Sequence, residues 1–205
     1  MKLYYSPNAC SLGIHVLLEE IGKPFTLEKV DFADGAQYKP PFSTLNPKSK
    51  VPALLRDNGA LLTEFPAIAF YLARTNPAAN LLPTDIDGEA KALEILDYLI
   101  STVHMRGYTR IFRPGNFNPD PAGEDQVKET GRNFVVQGFK LLEPELGTKD
   151  YILGEFSIVE GALFFLEFWA RNRAGIPLPP AFDAHLDRML ARPAVRRALA
   201  SEGLA

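Results

Sequence analysis

The chain has 205 residues, 46% apolar and 23% charged, a composition that excludes a disordered or fibrous protein and leaves room for one large or two modest domains. A net charge of −3, with no Lys/Arg run longer than Arg196-Arg197, argues against a nucleic-acid partner, and no window of about 18 uninterrupted apolar residues suggests a membrane span. The single cysteine, Cys10, excludes an internal disulfide or a multi-cysteine metal site, and His15, His104 and His185 lack any metal-binding spacing.

In chain order, Lys2-Leu-Tyr-Tyr5 is a short strand closed by the turn residues Ser6-Pro7-Asn8. A helix follows from Cys10 to Ile21, stopped by Gly22-Lys23-Pro24. Phe25 to Val30 alternates with period two, as a half-buried strand does, which makes a βαβ unit with parallel strands. After a Gly/Pro-interrupted connector come two apolar runs, 52–56 and 60–63, separated by Asp57-Asn58-Gly59, a hairpin signal. A helix through Ala67, Ile68, Phe70, Tyr71 and Leu72 completes the first half.

The remainder is helical. Residues 88–112 form an amphipathic helix with Leu93, Leu96, Ile100, Val103 and Ile111 inward, and 113–121 form a loop. A second long helix runs from Glu124 to Leu142 with Val127, Phe134, Val135, Gly138 and Leu141 inward, terminated by Pro144. Ile158 to Ala170 is apolar almost all round, so it is a central buried helix, and short helices near 181–190 and 194–200 close the chain. The organisation is an α/β module, 1–80, a linker, 81–87, and an all-α module, 88–205.

A βαβ-ββα module with a lone cysteine at its first strand-to-helix turn resembles the thioredoxin-like domain of glutathione transferases, and the helical half resembles their C-terminal domain. Met1-Lys-Leu-Tyr-Tyr-Ser-Pro-Asn-Ala-Cys10-Ser-Leu12, with His15, is similar to the opening of the bacterial beta class. Asn46-Pro-Lys-Ser-Lys-Val51-Pro52-Ala-Leu54 resembles the family's cis-proline segment, Leu62-Thr-Glu64-Phe65-Pro-Ala-Ile68 its glutathione-carboxylate segment, and Phe156-Ser157-Ile-Val-Glu160 its capping box.

The resemblance implies a homodimeric, cytoplasmic bacterial detoxification enzyme that joins glutathione to a small hydrophobic electrophile, with no metal, nucleic acid or membrane involved. It implies Cys10, His104 and Tyr5 as catalytic residues. It assigns glutathione contacts to Ser11, Lys50, Val51, Pro52, Glu64 and Phe65, and an electrophile pocket to Asn8, Ala9, Tyr108 and Trp169. Three departures stand out: Phe65 replaces a Ser or Gly, Ser49 replaces a Gly, and the His104-to-Tyr108 interval is one residue longer than in the resembled segment.

Position alone leaves Cys10 open. At a helix N-terminus, unsatisfied N–H groups and the dipole can lower a thiol pKa into the range of about 3.5–7.5, yet the same place also suits an inert small apolar side chain. With no cysteine at position 13 a dithiol mechanism is closed. Two readings therefore stand beside conjugation: a monothiol, glutathione-dependent disulfide reductase, and a non-catalytic binding protein that keeps the fold.

Overall fold

The computed structural model describes residues 1–205. Contacts divide the chain into two compact units, Met1–Leu82 with Leu190–Ala205, and Pro83–Met189. The C-terminal stretch, which its helical periodicity places with the all-α half, thus packs with the N-terminal module.

In the first unit, β1 (Lys2–Tyr5), α1 (Ser11–Ile21), β2 (Thr26–Lys29), a one-turn α2 (Phe42–Leu45), β3 (Ala53–Leu55), β4 (Leu61–Thr63) and α3 (Phe65–Thr75) follow the predicted order. This is a thioredoxin-like arrangement. The sheet runs β2-β1-β3-β4, with β1 parallel to β2 and antiparallel to β3. Leu3 faces Leu27 on one side and Leu54 on the other, so the apolar register is set from the central strand.

The predicted half-buried strand at 25–30 is instead an edge strand whose Thr26, Glu28 and Lys29 are exposed. Charged residues there discourage pairing with another chain. As the Gly-Lys-Pro signal requires, α1 stops at Gly22, whose left-handed φ of 70° lets its N–H reach the Leu18 carbonyl. The Asn58-Gly59 hairpin forms, with Gly59 at φ 80°. The C-terminal helix, Pro193–Glu202, packs on α1.

The second unit is all helical: α4 (Ile86–Tyr98), a π-helical stretch (Leu99–Tyr108), α5 (Thr109–Phe112), α6 (Glu124–Leu146), α7 (Ile158–Trp169), a π turn (Ala170–Ala174) and α8 (Pro180–Ala191). The predicted continuous helix at 88–112 therefore changes pitch midway. The Thr109 N–H reaches the His104 carbonyl, five residues back. Such a π-wound turn takes more residues than an α turn. The buried stripe is Ala92, Ile95, Leu96, Leu99, Val103, Gly107 and Tyr108, with Leu93, Ile100 and Ile111 only partly buried.

On α6 the buried positions are Gly131, Val135, Gly138, Phe139, Leu142 and Leu146, a three-and-four spacing from which Leu141, 67% exposed, falls away. The helix does not stop at Pro144. It continues to Leu146, because Leu146 is buried and the Gly147 N–H reaches the Glu143 carbonyl. All of α7 is buried, as its composition predicts. Ser157 and Glu160 close the predicted capping box: Ser157 N–H donates to Glu160 Oε2 at 2.8 Å and Val159 N–H to Ser157 Oγ at 3.2 Å.

The π-helical stretch and α6 touch through glycine. A Cβ at Gly131 would lie 2.7 Å from the Gly107 carbonyl oxygen, a backbone atom that cannot step aside. Gly131→Ala is therefore expected to destabilise the protein by about 1–3 kcal/mol in urea unfolding, an overpacking cost that opposes the gain in helix propensity.

Candidate active site

The turn after β1 is organised by two side chains. Ser11 Oγ accepts from the Ser6 N–H at 3.2 Å and donates to the Ser6 carbonyl at 3.3 Å, pinning the turn from beneath. The Asn8 N–H, at a residue with φ 56°, donates to Glu202 Oε2 at 3.0 Å. Cys10 ends the turn as the N-cap of α1. Ser11, expected to contact a ligand, is fully buried with its hydroxyl committed to Ser6. Tyr5 is buried with its ring 6.1 Å from that of His15, and burial, then the Glu202 charge, raise its pKa.

A second loop comes from the β3 side. Asn46, 2% exposed, clamps it: its Nδ2 donates to the Lys50 carbonyl at 2.8 Å and its Oδ1 accepts from the Lys48 N–H at 3.2 Å. Ser49 occupies a left-handed φ of 56°, which costs a non-glycine residue about 1–2 kcal/mol. The Val51–Pro52 bond is cis. The Val51 carbonyl accepts from Cys10 Sγ at 3.3 Å, so the two loops meet there. Val51 and Ala53 belong to an apolar cluster with Val30 and Phe42, against which Ala9 packs.

At the third corner, Glu64 is the N-cap of α3 with φ 71° and is exposed, and Phe65 opens the helix, 4% exposed. The Glu64 carboxylate accepts from Lys48 Nζ at 2.6 Å, and the same ammonium donates to Thr63 Oγ1 at 3.0 Å. The first unit therefore brings Tyr5, Asn8, Ala9, Cys10, Ser11, Val51, Pro52, Glu64 and Phe65 onto the loops at the ends of β1, β3 and β4. Lys50 is close enough for its charge to act on the Cys10 thiol.

Of the two readings that position leaves open at Cys10, burial favours the protonated thiol. The residue is half-buried, and burial pushes its thiol up to about 12 even though the backbone N–H groups of Cys10 and Ser11 and the Lys50 charge pull the other way. Desolvation outweighs the helix N-terminus. At neutral pH this is a thiol that donates to Val51.

The other site candidates lie in the second unit and pack with one another. His104 is edge-on to Phe165 at 5.4 Å and to Trp169 at 5.3 Å, and Tyr108 is edge-on to Trp169 at 5.4 Å. Tyr108 is not the pocket-lining residue expected of it. It is fully buried, and its hydroxyl donates to the Leu166 carbonyl at 2.6 Å. Trp169, 4% exposed, is mostly covered by the same aromatic group. His15 and His185 are structural: His15 Nδ1 bonds Glu202 at 2.9 Å, and His185 Nδ1 bonds Glu167 at 2.9 Å.

Residues 8–75 match the family described as glutathione S-transferase, N-terminal domain. Glutathione S-transferase GstA of Escherichia coli O157:H7 is 37% identical over 215 residues, covering all of both chains. The chain belongs to the glutathione S-transferase family. A sphingomonad glutathione S-transferase complexed with glutathione is 37% identical with a TM-score of 0.86 across the whole of both chains. The beta class enzyme of Sphingomonas chungbukensis is 34% identical with a TM-score of 0.85, again over both whole chains.

In this glutathione S-transferase family member, motif reading gave no task to three residues that these loops depend on or contact. Lys48 stands in a matched segment but was assigned no task, Asn46 acts only through the shape of its loop, and Glu202 lies 194 positions from the Asn8 it holds. No group of three His, Cys, Asp or Glu side chains is placed to hold a metal, and no helix is long and apolar enough to cross a membrane.

Alkylation of the single cysteine by iodoacetamide tests its protonation. In the folded chain the rate should rise about tenfold per pH unit from 7 to 11 without a plateau, since the thiol titrates at about 12. The urea-unfolded chain should level off above a pKa of about 8.5. A plateau near neutral pH in the folded protein would restore the thiolate.

Proposed function

We propose that this protein conjugates the thiolate of glutathione to small hydrophobic electrophiles, as a homodimer. The observation that carries the choice of chemistry is the hydrogen bond from Cys10 Sγ to the Val51 carbonyl at 3.3 Å, with burial holding the thiol's pKa up. A nucleophile for disulfide exchange must be a thiolate, whereas a donor next to a bound sulfur stabilises that sulfur's negative charge.

In this reading the Val51 carbonyl and N–H pair with the backbone of the cysteine in glutathione, Glu64 takes the ammonium of the γ-glutamyl group, and the first turn of α3 takes its carboxylate. Cys10 then turns its S–H from Val51 to the glutathione sulfur, favouring the anion. The thiol proton goes to solvent. The sulfur attacks the electrophilic carbon, a C–S bond forms, and the leaving group departs with the electrons of its bond. Proximity supplies much of the acceleration, because the protein binds the nucleophile already oriented.

Measured side by side, conjugation of an aryl chloride should exceed glutathione-dependent reduction of hydroxyethyl disulfide. Cys10→Ala should slow conjugation by about 10- to 100-fold without abolishing it, the loss of one hydrogen bond to a charged sulfur. Disulfide reduction that dominates and vanishes in Cys10→Ala would instead establish the monothiol reductase. No calorimetric binding of glutathione at millimolar concentration would overturn both enzyme readings and favour a non-catalytic binding protein.

A further inference from the structure

Lys48 springs from a turn whose backbone a buried side chain holds. The buried Asn46 accepts from the Lys48 backbone N–H at 3.2 Å and donates to the Lys50 carbonyl at 2.8 Å, so the backbone of the 46–50 turn is fixed within a side chain's reach of the corner between β4 and α3. There Lys48 Nζ donates to Glu64 Oε1 at 2.6 Å and to Thr63 Oγ1 at 3.0 Å. A cation and a carboxylate thus stand side by side where α3 begins. An ammonium has three donors, and Thr63 and Glu64 use two.

The complement of such a pair is a free α-amino acid end group, which carries one ammonium and one carboxylate on a single carbon. Glu64 answers only the ammonium. The side chain of Phe65 offers the carboxylate no donor, so its backbone N–H would act alone. We propose that Lys48 binds the α-carboxylate of the γ-glutamyl group with its third donor while Glu64 Oε2 takes the ammonium, so that the Lys48–Glu64 pair recognises the zwitterion as a unit. The proposal rests on the glutathione-binding reading above. It is physically inexpensive: both side chains are more than half exposed, 54% and 61%, so adjusting their mutual contact to admit a ligand costs little.

Calorimetric titration of the full-length protein tests it with three tripeptides: glutathione, its analogue lacking the α-carboxylate (4-aminobutanoyl-Cys-Gly), and its analogue lacking the α-amino group (glutaryl-Cys-Gly). Lys48→Met should weaken glutathione and the deamino analogue about tenfold, the loss of one charge-assisted bond, and leave the decarboxy analogue unchanged. Lys48→Arg should recover part of the loss. Unchanged or tighter glutathione binding in Lys48→Met would overturn the proposal and make Lys48 only a counter-ion of Glu64. An equal loss for all three peptides would overturn it too, as damage to the loop. No binding of glutathione to the wild-type protein would overturn the glutathione reading itself, and this proposal with it.

Discussion

The cysteine turn depends on one buried carboxylate. Glu202, 6% exposed, uses Oε2 to accept the Asn8 N–H and Oε1 to meet His15 Nδ1 at 2.9 Å. A desolvated carboxylate is tolerable only when its oxygens are satisfied, and removing it would leave a turn N–H and a buried imidazole without their acceptor. The constraint reaches further than the pair. Asn8 sits at a positive φ two residues before Cys10, so the direction in which the thiol leaves the turn is held by the last helix of the chain. Arg192, bonded to both oxygens of Glu20 at 2.6 and 3.0 Å, and Arg197, bonded to Glu19, fasten that helix along α1. This is why the C-terminal stretch belongs physically to the sheet module, although its own pattern is indistinguishable from that of the helical half.

A different constraint governs the helical unit. Its central helix, α7, is buried over its whole length yet carries two acids, and each is answered inside the unit. Glu160 accepts from the Ile152 and Ser157 N–H groups, and Glu167 is bonded through both oxygens to His185. Around this axis His104, Tyr108, Phe112 and Phe165 pack edge to face against one another or Trp169, apart from the Tyr108–Phe112 pair, which stacks at 24°, and both arrangements suit their quadrupoles. The glycine contact between the π-helical stretch and α6 brings two backbones together, with no room for a Cβ at Gly131.

Much of this was legible in the sequence because it depends on local chemistry. Gly22 before Pro24, Asn58-Gly59 and Ser157 with Glu160 each specify a backbone conformation within a few residues, and each forms where expected. What was not legible depends on phase or on distance. A helix drawn with constant period through 88–112 cannot show a π-helical stretch, and apolar residues flank two neighbouring faces there, of which the one through Ala92, Ile95, Leu99 and Val103 is buried while Leu93, Ile100 and Ile111 are only partly so. Proline at 144 gives a stop signal, but the buried Leu146 holds the last turn. Glu202 meets His15 across 187 positions, and no pattern connects them. Within the candidate site, resemblance pointed to Cys10, Val51, Glu64 and Phe65, which the fold places at neighbouring loop ends, whereas the commitments of Ser11 to Ser6 and of Tyr108 to Leu166 appear only once the backbone is folded.

Cys10 shows how two valid local arguments are decided by magnitude. A helix N-terminus favours an anion, and the sulfur does feel the Cys10 and Ser11 N–H groups, but that influence amounts to about 0.3–1 kcal/mol per charge at an ordinary site. Raising a thiol from 9.0 to about 12 corresponds to about 4 kcal/mol against ionisation. Desolvation therefore sets the protonation state, and the Val51 carbonyl, an acceptor with no use for a thiolate, fits the same outcome. The helix N-terminus need not be wasted. Its N–H groups lie next to a neutral donor, so an anionic sulfur delivered by a ligand would meet both without a second negative charge to repel it. A thiolate at Cys10 would oppose that sulfur, whereas a thiol welcomes it.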